Sequence, residues 1–121
     1  MTMFERFGGA DGIRRFVDEL SRRLSDDPEL GPLFDGVDDA SLRQHREHYF
    51  AAVLGGPENY SGRGLRDAHR PLGITEAHFG RFRAVVDASL AAVGADAEAT
   101  AAMRELLERL QPVIVTPSPP A

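Results

Sequence analysis

The stretch LRDAHRPLGITEAHF, residues 65–79, places one histidine in a segment with helically spaced apolar residues and a second histidine nine residues later. The chain contains no cysteine, so no thiolate is available to complete a metal site with either imidazole. His69 is therefore either a surface histidine of a short helix or a ligand to a group that side chains cannot supply. His78 is expected in the first turn of a helix, where a local packing or hydrogen-bonding role is predicted.

Apolar residues recur at helical spacing through most of the chain, and no stretch alternates as a half-buried strand does. This periodicity predicts an all-α domain. A loop leading into one short helix around 64–71 is expected in the glycine-rich interval after the second long helix. Four long helices are predicted, in the segments 12–24, 40–54, 75–94 and 96–110.

Capping residues and glycine pairs mark the predicted helix boundaries. Thr75 and Asp96 are candidate N-caps, and Pro112 is expected near the end of the last helix. The glycine pairs at 8–9 and 55–56 suit sharp reversals after helices, because glycine reaches positive φ without a Cβ clash.

Length and composition predict one soluble domain, since 121 residues can bury a core and the 27% charged fraction is ordinary. No apolar run approaches the roughly 20 residues that span a membrane, and the N-terminus lacks the pattern of a signal peptide. The net charge of −5 argues against a nucleic-acid partner. We therefore expect a cytoplasmic domain over residues 1–115 and a disordered tail at 116–121.

Four motifs in this order and spacing resemble the truncated haemoglobins, most closely their group I branch, from residue 4 to about residue 115. The motifs are Gly8-Gly9, DPELGPLFDGVD (27–38), LGGPENYSGRGLRDAH (54–69) and GITEAHF (73–79). The resemblance implies a two-over-two helical sandwich around a b-type haem. It also implies an almost absent first helix and a largely extended segment before the histidine that binds the iron.

The resemblance assigns His69 to the position of the proximal haem-iron ligand. A neutral imidazole can give the iron one nitrogen while a backbone carbonyl holds its other N–H. Several further residues are expected to contact the haem, although the phenylalanines among them also suit a purely structural core role. These residues are Phe34, Tyr60, Leu65, Ile74, Phe79 and Phe82.

The second long helix corresponds to the distal wall of the family. Arg46 falls in the middle of its apolar face, between Phe50 and Val53. A buried guanidinium has three outcomes: donation to an iron-bound ligand, a bridge to a haem propionate, or extension along the helix to water. Ser21 and Arg46 stand where the group usually has tyrosine and often glutamine, and Leu42 stands where many conventional globins have histidine.

Two other residues of this helix have alternative interpretations. His45 matches a position from which some relatives supply a sixth iron ligand, but its place at the margin of the apolar face favours the pocket rim. Phe50 aligns with a residue that lines an apolar gas route in group I proteins, and a core role is the alternative.

The resemblance implies a haem protein that binds oxygen or nitric oxide. Conversion of nitric oxide to nitrate, with a separate reductase as electron donor, is the implied enzyme activity. One alternative is peroxidase-like or nitrite- and anion-handling chemistry assisted by Arg46. A non-enzymatic gas sensor or store is another, and in a haem-free helical module His69 and the glycine pairs would be coincidental.

Overall fold

The computed structural model describes residues 2–55 and 69–115, and this part of the chain is helical without strands. In these described ranges, two 3-10 turns, Gly31–Phe34 and Arg70–Leu72, accompany five α-helices. The helices are α1 (Met3–Arg6), α2 (Gly9–Asp26), α3 (Asp39–Val53), α4 (Glu76–Ala92) and α5 (Ala97–Ile114). The all-α prediction is confirmed, the first helix is a single turn, and the four long helices lie within a few residues of the expected segments.

Helix α2 organises the core because it packs against both α3 and α4, while α4 also packs against α5. Its inner stripe is almost completely removed from solvent. Burial of this kind is the main favourable contribution to folding. The stripe consists of Ile13, Phe16, Val17, Leu20 and Leu24.

The entry into α2 depends on three glycines. Gly8 and Gly9 have φ values of 97° and 67°, so the expected reversal after a short first helix is confirmed. Gly12 lies one turn into α2, and a Cβ at this position would stand 1.7 Å from the carbonyl oxygen of Phe7. Glycine is therefore required for the close approach of α1 to α2. Gly55 also has positive φ, at 92°.

Side-chain caps begin three of the long helices. Asp38 accepts from the backbone N–H of Ser41 at 3.0 Å, and Asp96 accepts from that of Ala99 at 2.8 Å. Thr75 caps α4, so both predicted caps are confirmed. Helix α5 continues through Pro112, which lies in its last turn, where a missing N–H removes only one helical hydrogen bond.

One expectation for α3 is wrong. Val53 was expected on the buried face, but 36% of its surface is exposed, whereas Phe50 and Leu54 are buried. Val53 lies in the last turn of α3, just before the chain turns at Gly55, and no described helix covers it there.

The start of the predicted short helix around 64–71 lies outside the described residues. The same is true of the extended segment expected before His69 and of the tail at 116–121. In the described ranges, no helix combines the length and the apolar character needed to cross a membrane.

Candidate ligand-binding cavity

An apolar cavity of about 410 Å³ is enclosed by residues of α2, α3, α4, α5 and both 3-10 turns. This volume is within the range of small-molecule and cofactor sites. From α3 the lining residues include four of the predicted ones, namely Leu42, His45, Arg46 and Phe50. From the other elements they include Phe34, His69, Ile74, Phe79 and Phe82. The structure therefore brings together residues that lie up to 94 positions apart in the chain, from Leu20 to Ile114.

His69 directly precedes the 3-10 turn Arg70–Leu72 and is partly buried at the cavity wall. Pro71 within this turn and Gly73 after it, at φ 62°, define the path of the backbone from His69 to α4. An imidazole on a mainly apolar wall can bind a metal centre that the cavity admits.

Arg46 is half-buried and reaches the cavity from α3. Its guanidinium carbon lies 5.1 Å from the centre of the Phe34 ring, and its Nη1 donates to Oγ of Ser21 at 2.8 Å. Burial lowers the pKa of Arg46 to about 10, an effect that Asp39 opposes and Arg43 reinforces. The side chain therefore remains a cation at neutral pH.

The bond between Arg46 and Ser21 was not among the outcomes expected for this arginine. Ser21 lies on α2, is fully buried, and is not one of the residues that line the cavity. Its hydroxyl therefore contacts the site through the guanidinium. The two residues are 25 positions apart on different helices, so no local pattern in the sequence indicates the bond.

Two further histidines line the cavity. His45 is exposed at its margin. His78 forms a reciprocal capping box with Thr75, in which Nδ1 accepts from the Thr75 N–H and Oγ1 accepts from the His78 N–H, both at 3.1 Å. The predicted local hydrogen-bonding role of His78 is confirmed. In the neutral ring this bond leaves the proton on Nε2.

Sequence reasoning missed the contribution of α5 to the cavity. Leu107, Leu110 and Ile114 line it from this helix. The apolar spacing of 107, 110 and 114 was the available signal, but it predicts one buried face without indicating what that face contacts. Tyr60 and Leu65, both expected near a cofactor, lie outside the described residues.

A partly buried ion pair supports the cavity where α2 ends. Arg81 Nε lies 2.7 and 2.8 Å from the two carboxylate oxygens of Asp27, which also accepts the backbone N–H groups of Glu29 and Leu30. The bond from Arg81, together with these backbone bonds, holds the pKa of Asp27 below its ordinary value. This network positions Leu30, which lines the cavity.

The chain is similar to known haem proteins over nearly its whole length. The family model of the bacterial-like globins matches residues 2–116. The chain is 30% identical over 114 residues to the Group 1 truncated hemoglobin GlbN of Nostoc sp., covering 94% of this chain and 97% of the relative. The corresponding protein of Mycolicibacterium paratuberculosis is 30% identical over 115 residues, covering 95% and 85%.

Solved structures confirm the expected sandwich architecture. The truncated hemoglobin of Tetrahymena pyriformis in its Fe(III) form matches with a TM-score of 0.88 at 19% identity, covering 97% of this chain and 100% of the other. The Group II truncated hemoglobin of Bacillus anthracis matches with a TM-score of 0.87 at 26% identity, covering 98% and 95%.

Proposed function

The chain belongs to the bacterial-like globin family as a group 1 truncated haemoglobin, and on that premise we propose that it binds b-type haem with His69 as the proximal iron ligand. The haem supplies an iron atom at which diatomic gases, oxygen and nitric oxide, bind. The observation that supports this proposal is the partly buried imidazole of His69 on the wall of an apolar cavity of about 410 Å³.

The residues around the cavity fit a porphyrin. Apolar side chains from four helices exclude water from its faces, and Phe79 and Phe82, whose ring centres are 5.8 Å apart, supply a broad aromatic surface. The cavity is lined by few polar groups among many apolar ones, as cofactor sites generally are. Arg46 and the exposed His45 are suited to contact propionates or a gas ligand.

Haem loading tests the proposal directly. The protein is prepared with haem supplied, and a Soret band is expected in the wild type. In His69→Gly the spectrum should change, and added imidazole should restore it by occupying the vacated ligand position. His48→Ala is the matched control, because His48 is an exposed histidine of α3 that does not line the cavity. A colourless wild type, or a His69→Gly spectrum identical to the wild type and insensitive to imidazole, would refute the assignment.

We further propose that His45 remains at the rim rather than binding the iron, since its exposure supports that position. The ligand-free ferrous protein should then show a high-spin band without resolved α and β peaks. Resolved low-spin peaks that disappear in His45→Ala would show that His45 is the sixth ligand.

Nitric oxide dioxygenation is the activity proposed for this site. One nitric oxide, one oxygen molecule and one electron yield one nitrate, so an external electron donor is required for turnover. The apolar lining, including Phe50, is suited to neutral gases. Stopped-flow mixing of the oxygenated protein with nitric oxide should yield nitrate and ferric haem rapidly. Failure to form nitrate would refute this activity without affecting gas binding.

The position of Arg46 favours a second candidate, in which the site handles anions such as nitrite or assists peroxide cleavage. No carboxylate among the described residues lies within ion-pair distance of this guanidinium, so its charge is available to a ligand. In Arg46→Ala, cyanide affinity should fall by roughly tenfold or more, because hydrogen bonds to charged groups are strong. Carbon monoxide affinity should change much less. Equal losses for both ligands would exclude a charge effect.

A further inference from the structure

The charged and hydrogen-bonding neighbours of Arg46 determine where its side chain lies. The acids that approach the neighbouring part of α3 are already bound, since Arg43 Nε lies 2.7 Å from Asp39 and Arg43 Nη1 lies 3.3 Å from Asp18. Arg43 thereby engages Asp39, the carboxylate whose charge also acts on Arg46. Arg46 retains one hydrogen-bond acceptor in the described part of the chain, the hydroxyl of Ser21.

Ser21 is well suited to hold this guanidinium. It is fully buried on α2, the helix that forms the centre of the core, so its position is determined by packing on all sides. Its Oγ accepts from Arg46 at 2.8 Å, while the Phe34 ring covers the guanidinium carbon at 5.1 Å. Two contacts of different kinds therefore fix the position of the cation.

A cation held in this way gives the cavity a positive potential. The guanidinium donates one described hydrogen bond, so further N–H donors are available to a ligand in the cavity. In a low-dielectric cavity, such a charge favours anionic ligands over neutral ones more strongly than it would in water.

We propose that Ser21 is a positioning residue that holds the Arg46 guanidinium at the cavity wall and thereby sets the preference of the haem site for anionic over neutral ligands. This inference rests on the proposed haem site and on the proposed effect of Arg46. Without the Ser21 hydroxyl, the long arginine side chain gains access to solvent, and the potential in the cavity falls.

The test measures azide and cyanide affinities of the ferric haem-loaded protein and carbon monoxide affinity of the ferrous protein. In Ser21→Ala the anion affinities should fall by roughly tenfold, in line with the loss of a hydrogen bond to a charged group, while carbon monoxide affinity stays nearly constant. In an Arg46→Ala background the same serine substitution should have no further effect on anion affinity. The C–O stretching frequency of the carbon monoxide complex should shift in Ser21→Ala, because it reports the field of the guanidinium.

Ser89→Ala is the matched control. Ser89 is equally buried, on α4, and its hydroxyl donates to the Val85 carbonyl at 2.8 Å, away from Arg46. Its removal should leave the ratio of anion to carbon monoxide affinity unchanged. If Ser21→Ala does not fold, Ser21→Cys provides a side chain of similar size with only a weak acceptor.

The outcomes separate this inference from those on which it rests. Failure to bind haem refutes the haem site, and an unchanged anion affinity in Arg46→Ala refutes the effect of the arginine; either result also overturns the role of Ser21. If haem binds and Arg46→Ala weakens anion binding, an unchanged ratio in the Ser21 variants refutes the positioning role only. A loss that persists in the Arg46→Ala background would also overturn it.

Discussion

Replacement of Gly12 by alanine tests the close contact between the first two helices. A Cβ at Gly12 would stand 1.7 Å from the Phe7 carbonyl oxygen and 2.6 Å from its carbonyl carbon. Because ordinary carbon–oxygen contacts begin at about 3.3 Å, the backbone of Phe7 must retreat by about 1.6 Å. The Phe7 ring, which packs 6.0 Å from that of Phe16, would be displaced with it.

Two opposing effects determine the size of the change. Alanine is better than glycine inside a helix by about 1 kcal/mol. Overpacking against a rigid neighbour costs about 1–3 kcal/mol and occasionally more, and here the neighbour is backbone rather than a flexible side chain. The steric cost should win, and we expect Gly12→Ala to lower the free energy of unfolding by about 2 kcal/mol.

Gly80→Ala provides the matched comparison. Gly80 occupies the second turn of α4 as Gly12 does in α2, but a Cβ there meets no atom within 4 Å. Only the propensity effect applies, so this variant should be more stable by about 0.5–1 kcal/mol. At about 4 °C per kcal/mol for a domain of this size, the two melting temperatures should move by about 8 °C downward and about 2–4 °C upward.

Thermal and guanidinium unfolding followed by far-UV circular dichroism measures both changes. All variants are compared at equal haem occupancy, because a bound ligand adds to apparent stability. If Gly12→Ala were as stable as the wild type, or gained stability as Gly80→Ala does, the close approach of Phe7 to α2 would be refuted.

Three further predictions concern the surroundings of the cavity. The pKa of Asp27 is lowered in the folded protein, so its ionised form stabilises the fold at neutral pH, and this contribution is lost as pH falls below the ordinary value of 3.8. Asp27→Asn should therefore be less stable than the wild type at pH 7, and the difference in denaturant unfolding should shrink at pH 3; a constant difference would contradict the role of the Arg81 pair. Thr75→Ala should lower the unfolding free energy by about 1 kcal/mol through loss of the cap to His78, whereas Thr75→Ser should retain most of it. Phe50→Ala should lower the free energy of unfolding by about 3–5 kcal/mol, because the Phe50 ring is 96% buried and packs edge-on against Phe16 at 5.3 Å. A decrease of less than about 1 kcal/mol in the same denaturant assay would show that the ring is not well packed.

Local patterns predicted much of the fold. Apolar spacing identified the four long helices, and Thr75 and Asp96 marked two of their starts because a cap bonds to N–H groups only two or three residues away. The reversal at Gly8 and Gly9 followed from the conformational freedom of glycine. Val53 was wrongly placed because helical periodicity does not indicate where a covering helix ends.

Only part of the cavity lining was predicted from the sequence. The family resemblance selected His69, Phe34 and Arg46 in advance, and all three line the cavity. The contribution of α5 was missed, because an apolar stripe has the same pattern whether it faces the core or a cavity.

The sequence by itself determined the helices, their caps and the family, because these depend on near neighbours along the chain or on motifs at a characteristic spacing. Only the tertiary structure decided that Ser21 holds Arg46 and that Arg43 occupies the nearby acids. Such pairings depend on how two helices pack, since packing brings residues 25 positions apart to within 2.8 Å, with Ser21 fully buried and Arg46 half-buried. The chemistry available to the cavity therefore depends on the contact between α2 and α3 rather than on either helix separately.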